Sequence, residues 1–261
     1  MNGAIDQRWE GEYSFVLRTL LLKDFKVRYR NMSLGVGWSL ANPLVMMGVL
    51  TFVFTKIFPN SDEKNFPVFV LCGLIPFNFF TLAWASATTS LVDNAGLIKR
   101  TRFPREIVPI TTVLGNVLHY LIQLALLFSL VIAFGDGVSR HWVWLPVVIA
   151  LEVLFAVGAG LAFSALNVYV RDTRYVVESV NVVLFWLVPV FYPFSKIPAE
   201  YSEVYSFNPL AAVVMAFRNI LIENKPPAAS ILLKLTLVST LALFAGSIIF
   251  ERLKKRFYDY L

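Results

Sequence analysis

The chain has 261 residues, of which 57% are hydrophobic and only 15% are charged, and its net charge at neutral pH is +6. A soluble domain carries about a quarter charged residues, so this composition indicates a membrane protein. The basic residues are spread over short segments between apolar runs, which argues against a nucleic-acid-binding surface. Cys72 is the only cysteine, which excludes a disulfide or a thiolate metal site within one chain.

The N-terminal segment, residues 1–34, is charged and is expected to lie in the cytoplasm. Between residues 13 and 31 the apolar and basic side chains fall on two broad faces, which predicts an amphipathic helix at the membrane interface. The apolar face holds Leu17, Leu20, Leu21 and Phe25, and the basic face holds Arg18, Lys23, Lys26 and Arg30. A plain basic flank before the first span is the alternative.

Six apolar stretches are long enough to cross a bilayer, which takes about 20 helical residues. They lie at residues 35–58, 66–92, 108–134, 144–168, 176–194 and 229–250. The sequence therefore predicts an all-α integral membrane protein with six transmembrane helices per subunit. Residues 1–261 form one domain, made of the cytoplasmic segment 1–34, the membrane region 35–250 and a cytoplasmic tail, 251–261.

Lysine and arginine are distributed unequally between the two sides of these spans. The N-terminal segment, the second and fourth loops and the tail hold sixteen of the 23 basic residues. Because basic residues are enriched in cytoplasmic loops, both termini are predicted to be cytoplasmic. The even number of spans agrees with this orientation.

The second loop, residues 93–107, combines apolar residues with a high density of positive charge. Leu97, Ile98 and Phe103 face no obvious lipid there, and four basic residues surround them. Exposed apolar residues rimmed by charge indicate a docking surface for a partner. A solvated turn would explain the charges but not the apolar residues.

Polar side chains also occur inside the third and fourth spans. Asn116, His119 and Gln123 lie on one helical face, where they could line a translocation path or hydrogen-bond a neighbouring helix. Glu152 is expected to pair with a cation or to reach the surface. The small residues Ala156, Gly160 and Ser164 predict a close helix contact, either within one subunit or between two.

Aromatic residues make up 15% of the chain and cluster in the second and fifth spans. The clusters comprise Phe77, Phe79, Phe80, Trp84, Phe185, Trp186, Phe191 and Tyr192. Flat aromatic faces could stack on sugar rings, which makes Phe80, Trp84, Phe185, Phe191 and Tyr192 candidate path residues. The polar residues His119 and Gln123 are candidates as well. Interfacial aromatic belts and ordinary packing are the alternative.

The outer loop at residues 195–228 contains a second apolar run. Pro189 and Pro193 are predicted to end the fifth span, because proline breaks helical hydrogen bonding. After Asn208 and Pro209, the run at 210–222 is too short to cross a bilayer, which predicts a re-entrant or surface-lying helix. This loop is a candidate lid on the outer side, and a helix that merely packs on the bundle is the alternative.

The sequence contains no recognisable catalytic motif. A phosphate-binding loop, a His-Glu-x-x-His run and a nucleophile elbow are all missing. We therefore predict no catalytic residue, no metal site and no cofactor bound by this chain.

Four segments in order along the chain carry a resemblance to a known family. They are Arg28-Tyr29-Arg30 with Gly35, Trp38 and Asn42-Pro43-Leu44; Asn94 with Leu97-Ile98-Lys99 and Phe103-Pro104-Arg105-Glu106-Ile107; Arg171-Asp172 with Pro189-Val190-Phe191-Tyr192-Pro193 and Asn208-Pro209; and Phe250-Glu251-Arg252-Leu253-Lys254 with Phe257. Together they resemble the permease subunit of ABC exporters that move O-antigen, capsular polysaccharide or teichoic acid.

The resemblance implies that two permease subunits pair with two copies of a separate ABC ATPase, which holds the ATP and magnesium. The ATPase-coupling loop would comprise Asn94, Leu97, Ile98, Lys99, Arg102, Phe103, Pro104, Arg105 and Glu106. The interface helix and the start of the first span would comprise Arg28, Tyr29, Arg30, Gly35 and Trp38. The implied substrate is a polysaccharide on an undecaprenyl lipid, and the implied location is the bacterial inner membrane.

Other classes of membrane protein fit the sequence less well. A drug or small-lipid ABC permease is the alternative within transport, and a measured substrate would distinguish it. An ion-driven transporter usually needs buried ionisable pairs near the midplane, and the spans are nearly devoid of them. A membrane glycosyltransferase would need a carboxylate cluster at the membrane face, which we do not find.

Overall fold

The computed structural model describes residues 13–29, 37–57, 65–101, 103–134 and 137–260. The described residues form helices joined by short connections, without a strand among them. The helices are α1 (Tyr13–Tyr29), α2 (Trp38–Phe52), α3 (Phe66–Asp93), α4 (Ala95–Arg100), α5 (Ile107–Phe134), α6 (Leu145–Tyr169), α7 (Thr173–Leu187), α8 (Ala199–Phe207), α9 (Pro209–Leu221), α10 (Ala229–Leu253) and α11 (Phe257–Tyr260). Single turns of other helix types extend α2 at Val53–Ile57, precede α6 at Arg140–Trp144 and follow α10 at Lys254–Arg256.

Five helical stretches are long and apolar enough to cross a membrane. They are Trp38–Ile57, Phe66–Asp93, Ile107–Phe134, Arg140–Tyr169 and Ala229–Arg256. The pair α8 and α9, bent by 98°, brings the number to six if it is counted as one broken span. The predicted all-α, multi-pass fold is confirmed, with five to six spans in the described part of the chain.

The predicted fifth span ends earlier than the sequence indicated. Helix α7 has 15 residues and stops at Leu187, which makes it about 22 Å long. The next residue, Val188, has an extended backbone with ψ of 136°, because a residue that precedes proline is disfavoured in helical conformation. The predicted end at residue 194 is therefore wrong, and the chain continues as irregular backbone.

Helix α10 packs along α6, and the contacts between them give the relative direction of the two helices. Gly158 lies against Gly246, and the hydroxyl of Tyr169 at the end of α6 donates to the carbonyl of Leu253 at the end of α10. The residue numbers rise together along both helices, so the helices run parallel. The chain between them must return to the side where α6 begins, and α7 with residues 188–198 makes that crossing.

Helix α3 is the centre of the bundle. It contacts α2, α5, α6, α7 and α9, and most of its side chains are buried. Helix α9, capped by the side chain of Asn208, is itself buried along almost all of its length against α3, α6 and α10. The predicted short apolar helix therefore exists, and it packs into the bundle instead of lying on the surface.

Two further sequence predictions concern packing. In α1, Leu20 is buried and Leu17 is half-buried beside α5, whereas Arg18 is exposed. The position of this helix at the membrane interface stays a prediction. The small-residue stripe of α6 serves a contact within the subunit, since a Cβ atom on Gly160 would lie 2.9 Å from the Cβ of Ala87 on α3.

Candidate functional site

A polar cleft opens between α2, α3, α5 and α7 in the membrane region, with a volume of about 400 Å³. Its lining residues are Asn42, Asn78, Phe79, Thr81, Leu82, Ala85, Asn116, His119, Tyr120, Gln123, Glu178 and Asn181. Carboxamides both donate and accept hydrogen bonds. The cleft can therefore bind a ligand rich in hydroxyl groups.

Two of the predicted path residues, His119 and Gln123, lie in this cleft and also connect two helices. The hydroxyl of Ser39, at the start of α2, is 2.9 Å from Nδ1 of His119. The amide nitrogen of Gln123 donates to the carbonyl oxygen of Ser39 at 2.9 Å. Both side chains remain half-buried, so the same residues hold α2 on α5 and line the cleft.

Among the lining residues that were not predicted, four carry a carboxamide or a carboxylate: Asn42, Asn78, Glu178 and Asn181. Asn42 and Glu178 are exposed, and the Asn181 amide donates to the carbonyl of Thr81 at 3.3 Å. Glu178 and Asn181 are three residues apart on α7, as are Asn78 and Thr81 on α3. Side chains at this spacing share a helical face, so a search for polar residues at i and i+3 within spans would have found them.

Phe80 and Trp84 are core residues, so the prediction that they line the path is wrong. Both are almost fully buried inside the subunit. The Phe80 ring stacks on Phe155 with centroids 5.0 Å apart, and Trp84 meets Phe163 edge to face at 4.9 Å. Both partner rings belong to α6. Since α3 is enclosed by other helices, Phe80 and Trp84 pack against α6 and do not line the cleft.

The remaining aromatic candidates form a cluster where α7 ends. Phe191 is buried and stacks on Phe54 at 5.0 Å, so it too is a packing residue. Phe185 is half-buried beside Phe77. The hydroxyl of Tyr192 donates to the carbonyl of Leu187 at 2.8 Å. For Phe185 and Tyr192 the path role stays a prediction.

A buried arginine holds the irregular segment after α7 in place. Arg218 of α9 donates to the carbonyls of Val190 at 2.7 Å and Tyr192 at 3.1 Å. Its guanidinium also lies 3.5 Å from the ring centroid of Phe69. Opposite it, a Cβ on Gly73 would come within 2.8 Å of the Val190 carbonyl oxygen, so only glycine permits this approach to α3.

Glu152 is fully enclosed in the bundle and bonds to a phenol. The hydroxyl of Tyr120 donates to its Oε2 at 2.7 Å, and the Tyr120 ring stacks on Phe79. The expectation that Glu152 pairs with a cation or reaches the surface is wrong. The residue joins α6 to α5 within the core.

The coupling segment, residues 94–106, begins with the short helix α4. Lys99 and Arg100 are exposed on it, whereas Ile98 is only 1% exposed and packs into the core of its own subunit. Leu97 and Phe103 are half-buried. The expectation that Ile98 projects toward a partner is therefore wrong, since only one side of so short a helix can face outward.

Side chains tie this segment to both ends of the chain. Lys23 of α1 donates to the side-chain oxygen of Asn94 at 3.0 Å. Arg105 donates to the carbonyl of Lys254 at 2.7 Å. Pro104 and Glu106 are half-buried at the start of α5.

Some predicted residues fall outside this description. Arg30, Gly35 and Arg102 lie outside the described residues, as do the side chains of Arg28 and Tyr29. Trp38 is exposed at the first turn of α2. Within the described ranges, no three His, Cys, Asp or Glu side chains are grouped so that they could hold a metal ion.

The family model described as "ABC-2 type transporter" matches residues 16–222. The chain is 31% identical over 262 residues to the O-antigen export system permease protein RfbA of Klebsiella pneumoniae, covering 99% of this chain and 100% of the relative. A protein of the same name from Myxococcus xanthus is 30% identical, with 95% and 96% coverage. The polysialic acid transport protein KpsM of Escherichia coli is 26% identical, with 88% and 90% coverage.

Proposed function

The chain belongs to the ABC-2 type transporter family, and on that premise we propose that it exports a lipid-linked polysaccharide of the O-antigen kind across the bacterial inner membrane. The observation that carries the proposal is the polar cleft. Gln123, Asn116 and Asn181 of this cleft also bond neighbouring helices. Asn42 and Glu178, in contrast, are exposed on its lining and supply hydrogen-bonding groups for a polar ligand. Similarity to two O-antigen export permeases along nearly their whole length supports this substrate class.

The runner-up is an ABC permease for another substrate, such as teichoic acid, a drug or a lipid. A drug or lipid would favour an apolar lining, because small-molecule sites are mostly apolar. The carboxamides of Asn42, Asn78 and Asn181 and the carboxylate of Glu178 lie among apolar lining residues and supply hydrogen-bonding groups for a hydroxylated substrate. Teichoic acid differs from O-antigen mainly in its phosphates, and a transport assay with both polymers would separate them.

Energy for export would come from a separate ABC ATPase, which would bind ATP and magnesium. Two copies of it would dock on two copies of the permease. The exposed Lys99 and Arg100 would steer and orient the ATPase, and Leu97 and Phe103 would supply apolar contact area. Residues 1–34, the coupling segment and the C-terminal tail would then all lie in the cytoplasm.

A second copy of this chain would complete the path. The cleft is bounded by α2 and α7, which carry exposed apolar side chains, among them Val45, Phe52, Val183 and Trp186. A close-packed bundle of this size leaves no continuous channel for a sugar chain. Two clefts that face each other across a two-fold axis would provide a wider, polar-lined conduit.

The proposal is tested by removing polar groups from the cleft without disturbing the core. Asn42→Leu and Glu178→Leu replace exposed side chains, so the fold should survive. In vesicles that contain the ATPase, we expect export of an undecaprenyl-linked glycan to fall while the amount of assembled complex stays constant. Thr236→Leu, at an exposed position of α10, is the matched control and should export normally. Equal export by all three variants would contradict a role of the cleft in translocation.

A further inference from the structure

The C-terminal segment, residues 253–260, folds back and packs beside the coupling segment. After α10 the chain turns through Lys254–Arg256 into α11. Phe257 is completely buried there, in a cluster that includes Ile98 of α4. The other buried members come from the ends of α3, α5, α6 and α10, and they are Leu91, Val108, Leu161, Ala165, Val168 and Phe250.

Two side-chain hydrogen bonds hold the backbone of this segment where α10 ends. Arg105 of the coupling segment donates to the Lys254 carbonyl at 2.7 Å, and its guanidinium lies 5.9 Å from the Phe257 ring centroid. Tyr169, at the end of α6, donates to the Leu253 carbonyl at 2.6 Å. The last carbonyls of a helix have no partner within the helix, so these donors fix where α10 ends.

The Arg171 side chain continues this pattern to the last described residue. Its guanidinium donates to the carbonyl of Tyr260 at 3.0 Å, and the Tyr260 ring lies 4.6 Å from the ring of Tyr169. Residues 253–260 are thus held on one side by the coupling segment. On the other side they are held by the end of α6 and the loop that follows it.

We propose that residues 253–260 form a brace that joins the coupling segment to α6 and α10, with Arg105 and Phe257 as positioning residues. This inference rests on the proposed function, because it assumes that an ATPase pushes on α4. A close-packed interior transmits a displacement with little loss. A push on α4 would move Ile98, and the shared cluster around Phe257 would carry that movement to α6 and α10 together.

The first test measures the brace without any substrate. Labels at Gly96→Cys and Lys255→Cys lie on exposed positions, and a Cβ on Gly96 meets no atom within 4 Å. The one native cysteine, Cys72, is buried. A pair of spin labels should give a narrow distance distribution in the permease–ATPase complex, and Phe257→Ser should broaden it. An unchanged distribution would overturn the proposal.

The second test measures coupling, as glycan exported per ATP hydrolysed in vesicles. Phe257→Ser and Arg105→Gln should lower this ratio roughly three- to tenfold, which lies within the range expected for residues that modulate coupling. Phe257→Leu and Arg105→Lys should restore most of it, and the exposed Arg252→Gln is the control. A purely structural role would reduce export and hydrolysis in proportion to folded complex, leaving the ratio unchanged, and that result would overturn the brace. Absence of glycan export by the unmodified complex would instead contradict the proposed function.

Discussion

The crossing of α6 and α10 provides a quantitative test of the fold. A Cβ atom on Gly158 would lie 2.5 Å from the backbone of Ala242 and Leu243, whereas ordinary contacts begin near 3.4 Å. Because the atoms in the way belong to the backbone, Gly158→Ala must move the two helices apart by about 1 Å. Overpacking of this kind costs about 1–3 kcal/mol, against a gain of up to ~1 kcal/mol from the better helix propensity of alanine.

The control is Gly48→Ala in α2, where a Cβ meets nothing within 4 Å. We expect this variant to melt at or above the unmodified protein, and Gly158→Ala to melt several degrees lower, at about 2–4 °C per kcal/mol for a chain of this size. Gly246→Ala should behave like Gly158→Ala, since its Cβ would lie 2.1 Å from the Gly158 carbonyl oxygen. Both changes together should cost less than their sum, because the helices separate once.

The assay is the thermal unfolding of purified protein in mild detergent, followed by loss of the folded size-exclusion peak. If Gly158→Ala and Gly48→Ala melt alike, then α6 and α10 do not approach as described. The parallel arrangement of these helices, and the crossing made by α7, would lose their support.

Three other predictions follow from the structure. A cysteine placed at Val138 should react with an impermeant thiol reagent from outside the cell, and one placed at Thr101 should not. The reverse pattern would refute the predicted orientation, in which both termini are cytoplasmic. Phe103→Ala should weaken binding of the ATPase by about 1–3 kcal/mol, near typical hot-spot values, and equal binding by this variant and the unmodified protein would exclude an anchor role. Ile98→Ala should instead lower the folding stability of the permease by about 2–5 kcal/mol, because its side chain is buried. Arg218→Leu should lower thermal stability, because the Val190 carbonyl would lose its buried donor, and unchanged melting would show that the segment is held by other contacts.

The sequence predicted the helical class, most helix positions and the short apolar helix α9, because apolar runs and proline positions act locally. It did not predict that α9 is buried in the bundle. It did not predict which face of a helix meets protein. Phe80 and Trp84 fit a path-lining pattern as well as a core pattern, and only the position of α6 shows that they are core. Likewise, Ile98 is buried in a cluster with Phe257, which lies far away in the sequence.

The polar cleft illustrates the same limit. Its His119 and Gln123 stood out because they share one face of one span. Asn42, Glu178 and Asn181 belong to other helices, and their convergence depends on how α2 and α7 pack on α3 and α5. A single sequence carries no direct record of that packing.

The most direct test of the account is ATP-driven transport of a defined glycan. Vesicles that contain this chain and its partner ABC ATPase should move an undecaprenyl-linked O-antigen polymer, and movement should stop when the ATPase cannot hydrolyse ATP. We expect transport that requires both subunits and the lipid-linked sugar chain. Transport of a small drug or lipid in place of the polymer, or movement of the polymer without ATP hydrolysis, would contradict it.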